Sequence, residues 1–254
     1  MLDAVRDGLF DQAVPWFVVA QVLALGAATL VFGRRLRAGG EPRTGLLSAA
    51  MVAGVVVGAV SLGPLLRLPR TLLGSGGDLF APGWLMAYGA LAGGAVAVAV
   101  AAGRQRGAAL DAYTPAAGVM VAIGRLGCVA SGCCFGHADT GPLAIAYPPG
   151  TLAFSAQVAE GVLDPSAHAA QAVLPVALLE SLVGALVILI GLTLPKRLRS
   201  GSTFVAGACV YAAGRCVIET MRDDPRPMAG PLSLPQALSL TVLAISAWAW
   251  SRSR

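Results

Sequence analysis

The chain has 254 residues, of which 56% are hydrophobic and only 12% charged, with a net charge of +5 and a mean hydropathy of +0.74. A soluble domain carries about 25% charged residues, so this composition excludes an ordinary soluble protein and predicts a polytopic one, with apolar runs of membrane-spanning length recurring along the chain. The basic excess does not point to nucleic acid, because no Lys/Arg cluster is interleaved with aromatics. The five cysteines all lie in or beside apolar runs, which excludes a secreted disulfide framework.

Taken in order, the apolar runs predict an all-α integral membrane fold with seven transmembrane helices, forming a single domain over 1–254. The first span covers 14–32 and closes on Arg34, Arg35 and Arg37. Acidic residues before it (Asp3, Asp7, Asp11) argue against a cleavable signal. The second covers 45–66 and the third 82–102. Gly54 and Gly58 in one, and Gly89 and Gly93 in the other, are the small residues four apart that let helix backbones approach in lipid. The fourth covers 112–134. A polar stretch over 136–170, rich in Pro, Gly and Ser and free of Lys and Arg, predicts a small cap between helices 4 and 5. The fifth span covers 171–194, the sixth 203–221 and the seventh 232–250, where Trp248 and Trp250 suit an interface belt.

Basic residues fix the expected orientation. Eleven of them (Arg34, Arg35, Arg37, Arg43, Arg104, Arg106, Lys196, Arg197, Arg199, Arg252, Arg254) fall at one set of ends and five (Arg6, Arg67, Arg70, Arg222, Arg226) at the other. The positive-inside rule then predicts an N-terminus outside, a C-terminus in the cytoplasm, and an outward-facing cap.

Four charges interrupt the apolar spans: Arg125, Glu180, Arg215 and Glu219. Each costs about 3 kcal/mol at a helix centre, on the order of 10 kcal/mol together. One reading is a structural ion-pair network. The other is an anion site, since guanidinium presents a planar fork that matches phosphate. Tyr211, Arg215, Glu219 and Arg222 fall at i, i+4, i+8 and i+11 and share one helical face. Gly124, Gly127, Gly132 and Gly136 around Arg125 predict a broken helix with exposed N–H groups, a cradle for phosphate. Cys128, Cys133 and Cys134 have a C-x4-C-C spacing that matches no standard zinc or iron–sulfur pattern, so no metal and no cofactor is predicted, although His137 could supply a fourth ligand. Cys209 and Cys216 read as small buried hydrophobes, and His168 as a solvated loop residue.

Three segments together resemble the prolipoprotein diacylglyceryl transferases of the bacterial inner membrane. Gly124-Arg-Leu-Gly127 through Gly136 is similar to the family signature, with its essential arginine at Arg125. Pro175-Val-Ala-Leu-Leu-Glu180 is similar to the Pro-x-x-Leu-Tyr-Glu segment. Tyr211-Ala-Ala-Gly-Arg215, followed by Glu219 and Arg222-Asp-Asp-Pro-Arg226, is similar to the block carrying the second essential arginine. The chain departs from the pattern where Cys128, Ser131 and Cys133 replace Asn, Asn and Glu, and where Tyr88 and Leu174 stand in place of histidines. The resemblance implies transfer of diacylglyceryl from phosphatidylglycerol to the lipobox cysteine of a prolipoprotein signal peptide, on the periplasmic side of the inner membrane. It implies phosphate binding by Arg125 and Arg215, oriented by Glu219 and Glu180. Tyr88 or Tyr211 would contact the headgroup, and the base is left open among Tyr88, His137 and a carboxylate, with acidification of the thiol by the arginine field alone as the alternative. A transferase with another acceptor, or a non-catalytic lipid-binding or transport protein on the same scaffold, remains an alternative.

Overall fold

A computed structural model describes the backbone of residues 2–72, 86–194, 199–224, 228–229 and 231–251, with side chains described for these apart from 2–15, 63–64, 66–72, 86, 228–229 and 250. The helices are α1 (Leu2–Ala38), α2 (Thr44–Leu72), α3 (Met86–Ala102), α4 (Arg106–Ser131), α5 (Leu152–Ala159), α6 (Val176–Thr193), α7 (Ser202–Glu219) and α8 (Leu234–Ser251). A 3-10 turn at Gly103–Gln105 joins α3 to α4, and a two-residue hairpin pairs Met228–Ala229 with Leu232–Ser233. Helices α1–α4 and α6–α8 correspond to the seven expected spans, and α5 lies in the cap.

By length and apolarity, four described stretches could cross a membrane: Trp16–Ala38, Thr44–Leu62, Ala87–Ser131 and Val176–Thr193. The third of these joins α3 and α4 through the 3-10 turn. Helix α8 is apolar over the shorter Leu234–Ala249. Helix α7 is not among the four, and it carries the charges Arg215 and Glu219. The expected fifth span starts too early. Backbone 171–174 pairs with the cap instead, through Asp139 N–H to Ala172 O (2.9 Å), Ile145 N–H to Val173 O (3.0 Å) and Gly136 N–H to Leu174 O (2.9 Å), so α6 begins only after Pro175. The expected start of the third span at Pro82, and Lys196, Arg197, Arg226, Arg252 and Arg254, lie outside the described residues.

Helix packing rests on small residues. A Cβ on Gly54, Gly58, Gly89 or Gly93 would overlap the facing glycine backbone, so α2 and α3 cross with main chains in contact. Helices α4 and α6 do the same at Gly118 and Gly184, where a Cβ would stand 2.8 Å from Gly184 O and 2.9 Å from Gly118 O respectively. Ser181 Oγ donates to Ala122 O (2.9 Å) across the same crossing. The apolar core of α1–α4 is built from Ala28, Phe32, Leu47, Met51, Val98 and Tyr113. A separate small core of Phe135, Tyr147, Ala153, Phe154, Ala170 and Val173 holds the cap together.

One end of the bundle gathers basic termini. Arg43 reaches Ala101 O (3.5 Å), Arg35 reaches Gly191 O (2.9 Å), and the Asp111 carboxylate accepts from Gly201 N–H (2.7 Å) and Phe204 N–H (3.0 Å) at the start of α7. The opposite end holds the cap, the C-termini of α4 and α7, and the N-termini of α6 and α8.

Candidate anion site at the capped end

Three helices deliver the charged residues to one place. The tight α4–α6 crossing carries Arg125 and Glu180 together, one turn beyond the Ser181–Ala122 bond. Gly214 on α7 admits the Val183 side chain, at 2.7 Å from where a Cβ would be, which seats α7 against α6. On α7 the 3.6-residue period turns Tyr211, Arg215 and Glu219 inward, and all three are buried.

Glu180 is the hub of the resulting network. Its carboxylate forms ion pairs with Arg125 Nε, Arg215 Nη1 (3.3 Å) and Arg222 Nη1 (2.7 Å), of which the contact with Arg222 is a hydrogen bond to Oε1, while Oε2 accepts none. Arg215 is also paired with Glu219 one turn on. Glu219 in turn accepts from Ser233 Oγ (2.9 Å) at the start of α8. Arg222 forks onto Asp224 through Nε (2.9 Å) and Nη2 (3.1 Å). Three guanidiniums thus face three carboxylates, and the cluster is neutral when all are ionised. That balance offsets part of the burial cost of the individual charges.

The network is closed except at a few atoms. Arg125 keeps 16% of its side chain exposed, against 3% for Arg215 and 1% for Arg222, so Arg125 is the guanidinium an external anion would meet. Its Nη1 points at the sulfurs of Cys128 and Cys134, 3.8 Å from each. Arg215 Nε is buried without a partner. So is the Tyr211 hydroxyl, which has Arg125 beside it but no hydrogen bond of ordinary geometry. A buried donor left unpaired costs about 1–3 kcal/mol, and two such donors beside an accessible arginine fit a site that takes an anionic, oxygen-rich ligand.

Tyr88 reaches the site from α3. Its ring packs edge-on against Tyr211 at 5.7 Å, and its hydroxyl shares a hydrogen bond with Ser239 on α8. His137 does not join the network. Its side chain is 58% exposed, with Nδ1 3.4 Å from Asp223 and Nε2 3.3 Å from Thr220 O.

The broken helix expected around Arg125 is absent. Helix α4 runs without interruption to Ser131. Gly124 and Gly127 are packing residues against α1, where Gln21 Nε2 donates to Gly124 O (3.2 Å) and a Cβ on Gly127 would stand 2.5 Å from Ala20 Cβ. Only Gly132 uses its conformational freedom, with φ +59° at the helix end. Gly136 lies between strands of backbone, its N–H donating to Leu174 O, with Met221 O where a Cβ would point. Asp224 and Ser233 belong to the network but are not singled out by sequence, because short polar residues in a turn are ordinary. The Arg222-x-Asp224 fork was the only available signal.

A family model described as prolipoprotein diacylglyceryl transferase matches residues 8–252. Phosphatidylglycerol–prolipoprotein diacylglyceryl transferase 2 of Clostridium perfringens (strain 13 / Type A) is 27% identical over 165 residues, 61% of this chain and 57% of that protein. The phosphatidylglycerol–prolipoprotein diacylglyceryl transferase of Clostridium tetani (strain Massachusetts / E88) is 25% identical over 251 residues, covering 92% of this chain and 91% of the relative. That of Rhodopirellula baltica (strain DSM 10527 / NCIMB 13988 / SH1) is 36% identical over 85 residues, 32% of this chain and 17% of the relative. The chain belongs to the prolipoprotein diacylglyceryl transferase family.

Proposed function

We propose that this family member moves a diacylglyceryl group from phosphatidylglycerol to the thiol of a prolipoprotein lipobox cysteine, releasing glycerol phosphate. The observation that carries the reading is the buried network around Glu180, with Arg125 accessible and Arg215 Nε and the Tyr211 hydroxyl unpaired. In the reaction the acceptor sulfur, as thiolate, bonds to the glycerol carbon that carried the phosphate. The C–O bond breaks, its electron pair stays on the phosphate oxygen, and the thiol proton goes to a base or to solvent.

Arg125 holds the lipid phosphate, and Arg215 and Tyr211 add donors as charge builds on the leaving oxygen. Glu180 and Glu219 are positioning residues that keep the guanidiniums aimed. Arg222, braced by Asp224, fixes the other face of Glu180. The network is neutral before the lipid arrives, so headgroup binding requires Arg125 to share its charge between Glu180 and phosphate. Tyr88, tied to Ser239, supports the Tyr211 ring. Gly124, Gly127, Gly132 and Gly136 serve by letting α1, α4 and the cap close around this point. We place the cap (136–170) on the periplasmic face of the bacterial inner membrane, with the basic end in the cytoplasm.

The test uses the full chain in phosphatidylglycerol vesicles with a lipobox peptide, and mass spectrometry to find the thioether. Product is expected from the wild type, and Arg125→Ala and Arg215→Ala should each lower the rate about 10²–10³-fold. If wild type forms no product yet binds phosphatidylglycerol, the transfer reading fails and lipid binding or transport replaces it. A thioether on a small thiol but not on the peptide would replace the acceptor.

A further inference from the structure

The sulfurs of Cys128, Cys133 and Cys134 all lie within 4.8 Å of one another, with Cys133 and Cys134 3.9 Å apart. The chain brings them together by a helix-ending turn. Gly132 sits in the left-handed region, Cys133 N–H donates to Cys128 O (3.3 Å) and Gly132 N–H to Val129 O (3.3 Å), the paired bonds of a Schellman motif. That motif places residue n+5 directly back over residue n. A C-x4-C-C spacing, meaningless along an extended chain, therefore becomes a three-sulfur cluster when a helix stops at the fourth intervening residue.

We propose that Cys128, Cys133 and Cys134 bind a zinc ion through three thiolates, leaving its fourth position open. Tetrahedral zinc with bonds near 2.3 Å needs sulfurs about 3.8 Å apart, close to the Cys133–Cys134 separation. Thiolates select zinc-like soft ions over magnesium or calcium. A divalent ion cancels two of the three thiolate charges, and Arg125 Nη1, 3.8 Å from two of the sulfurs, lends them N–H donation while its own charge stays shared with Glu180. Among the described residues no fourth His, Cys, Asp or Glu joins the cluster, which is the pattern of an exchangeable rather than a closed structural site. An open zinc position takes a thiol as its thiolate, with the proton released to solvent and a water displaced. The ion would thus deprotonate an acceptor thiol beside Arg125. This last step rests on the transfer reading of the preceding subsection, whereas zinc binding does not.

The experiment uses the purified full chain in detergent, loaded with Zn²⁺ or Co²⁺. One metal per chain is expected, with Co²⁺–thiolate absorption that is lost in Cys128→Ser and Cys134→Ser and kept in Cys209→Ser and Cys216→Ser. Should the first two variants fail to fold, the wild type decides alone: zinc should shield peptides bearing Cys128, Cys133 and Cys134 from alkylation, and a chelator should reverse it. Zinc-independent alkylation, a disulfide among the three, or binding of Cu⁺ but not Zn²⁺ would overturn the site. Adding a lipobox peptide should shift the Co²⁺ bands, and its Cys→Ser version should not. Absence of that shift with metal bound overturns thiol activation alone. Absence of thioether product in the vesicle assay bears on the transfer reading and leaves the metal result standing.

Discussion

Glu180 carries more of the site than any of the three arginines that face it. One carboxylate, 2% exposed, meets Arg125, Arg215 and Arg222. Removing its charge leaves Arg125 without a carboxylate and takes one of two from Arg215 and from Arg222, and breaking a buried pair costs about 3–5 kcal/mol. Glu180→Gln is expected to lower the thermal unfolding temperature of the detergent-solubilised chain well beyond Arg125→Gln, because Arg125 is partly exposed and has one carboxylate partner among the ion pairs. Equal effects would contradict the hub. Arg215→Lys should lose activity despite keeping the charge, since an ammonium cannot reach Glu180 and Glu219 while presenting a further planar donor. A rate within twofold of wild type would count against that assignment. These residues were legible in the sequence because a charge inside an apolar run has no inexpensive explanation. What pairs with what was not legible, since Arg222–Glu180 and Ser233–Glu219 join positions 42 and 14 residues apart. The cysteines were visible but the meeting of their sulfurs was not, because their spacing becomes geometry only through the turn at Gly132.

Among the elements, the helix crossings decide where the side chains arrive. Gly58 stands against Gly89 with no room for a Cβ, so Gly58→Leu should force α2 from α3. Overpacking of this kind costs about 1–3 kcal/mol or more, readable as a drop in unfolding temperature. An unchanged temperature would mean the helices separate freely. Gly132→Ala should do local damage instead. Its Cβ would be 2.9 Å from both Thr151 Cβ and Tyr147 Cδ1, at a φ that L residues rarely adopt. The outcome expected is protease sensitivity of the cap with the helical content retained. Burial pushes the Tyr147 phenol up to about 12, in keeping with a ring packed into the cap core. The glycine pairs of α2 and α3 announced close packing in the sequence. Gly124 and Gly127 announced a break that is not there, because a glycine facing Gln21 or Ala20 and a glycine bending a helix look identical until the neighbouring helix is known.

For the whole molecule, the described helix termini sort into a basic end and a capped end. The proposed orientation makes the cap periplasmic. Ser166→Cys, in an exposed turn of the cap, should react with a membrane-impermeant thiol reagent added to intact spheroplasts. Reaction only after lysis would invert the molecule. The seven long helices were legible from apolar runs, while the late start of α6 was not, because Ala172, Val173 and Leu174 extend its apolar run and are held back by backbone pairing to the cap. The central claim is a lipid transfer carried out at the Glu180–arginine network, and it is tested most directly in a bacterium depleted of its own prolipoprotein diacylglyceryl transferase. Expression of this chain should restore mature, lipidated lipoprotein on a gel mobility assay, and Arg215→Ala, inserted to the same level, should not. Precursor that persists with the wild-type chain present in the membrane, or maturation that survives Arg215→Ala, would contradict the account.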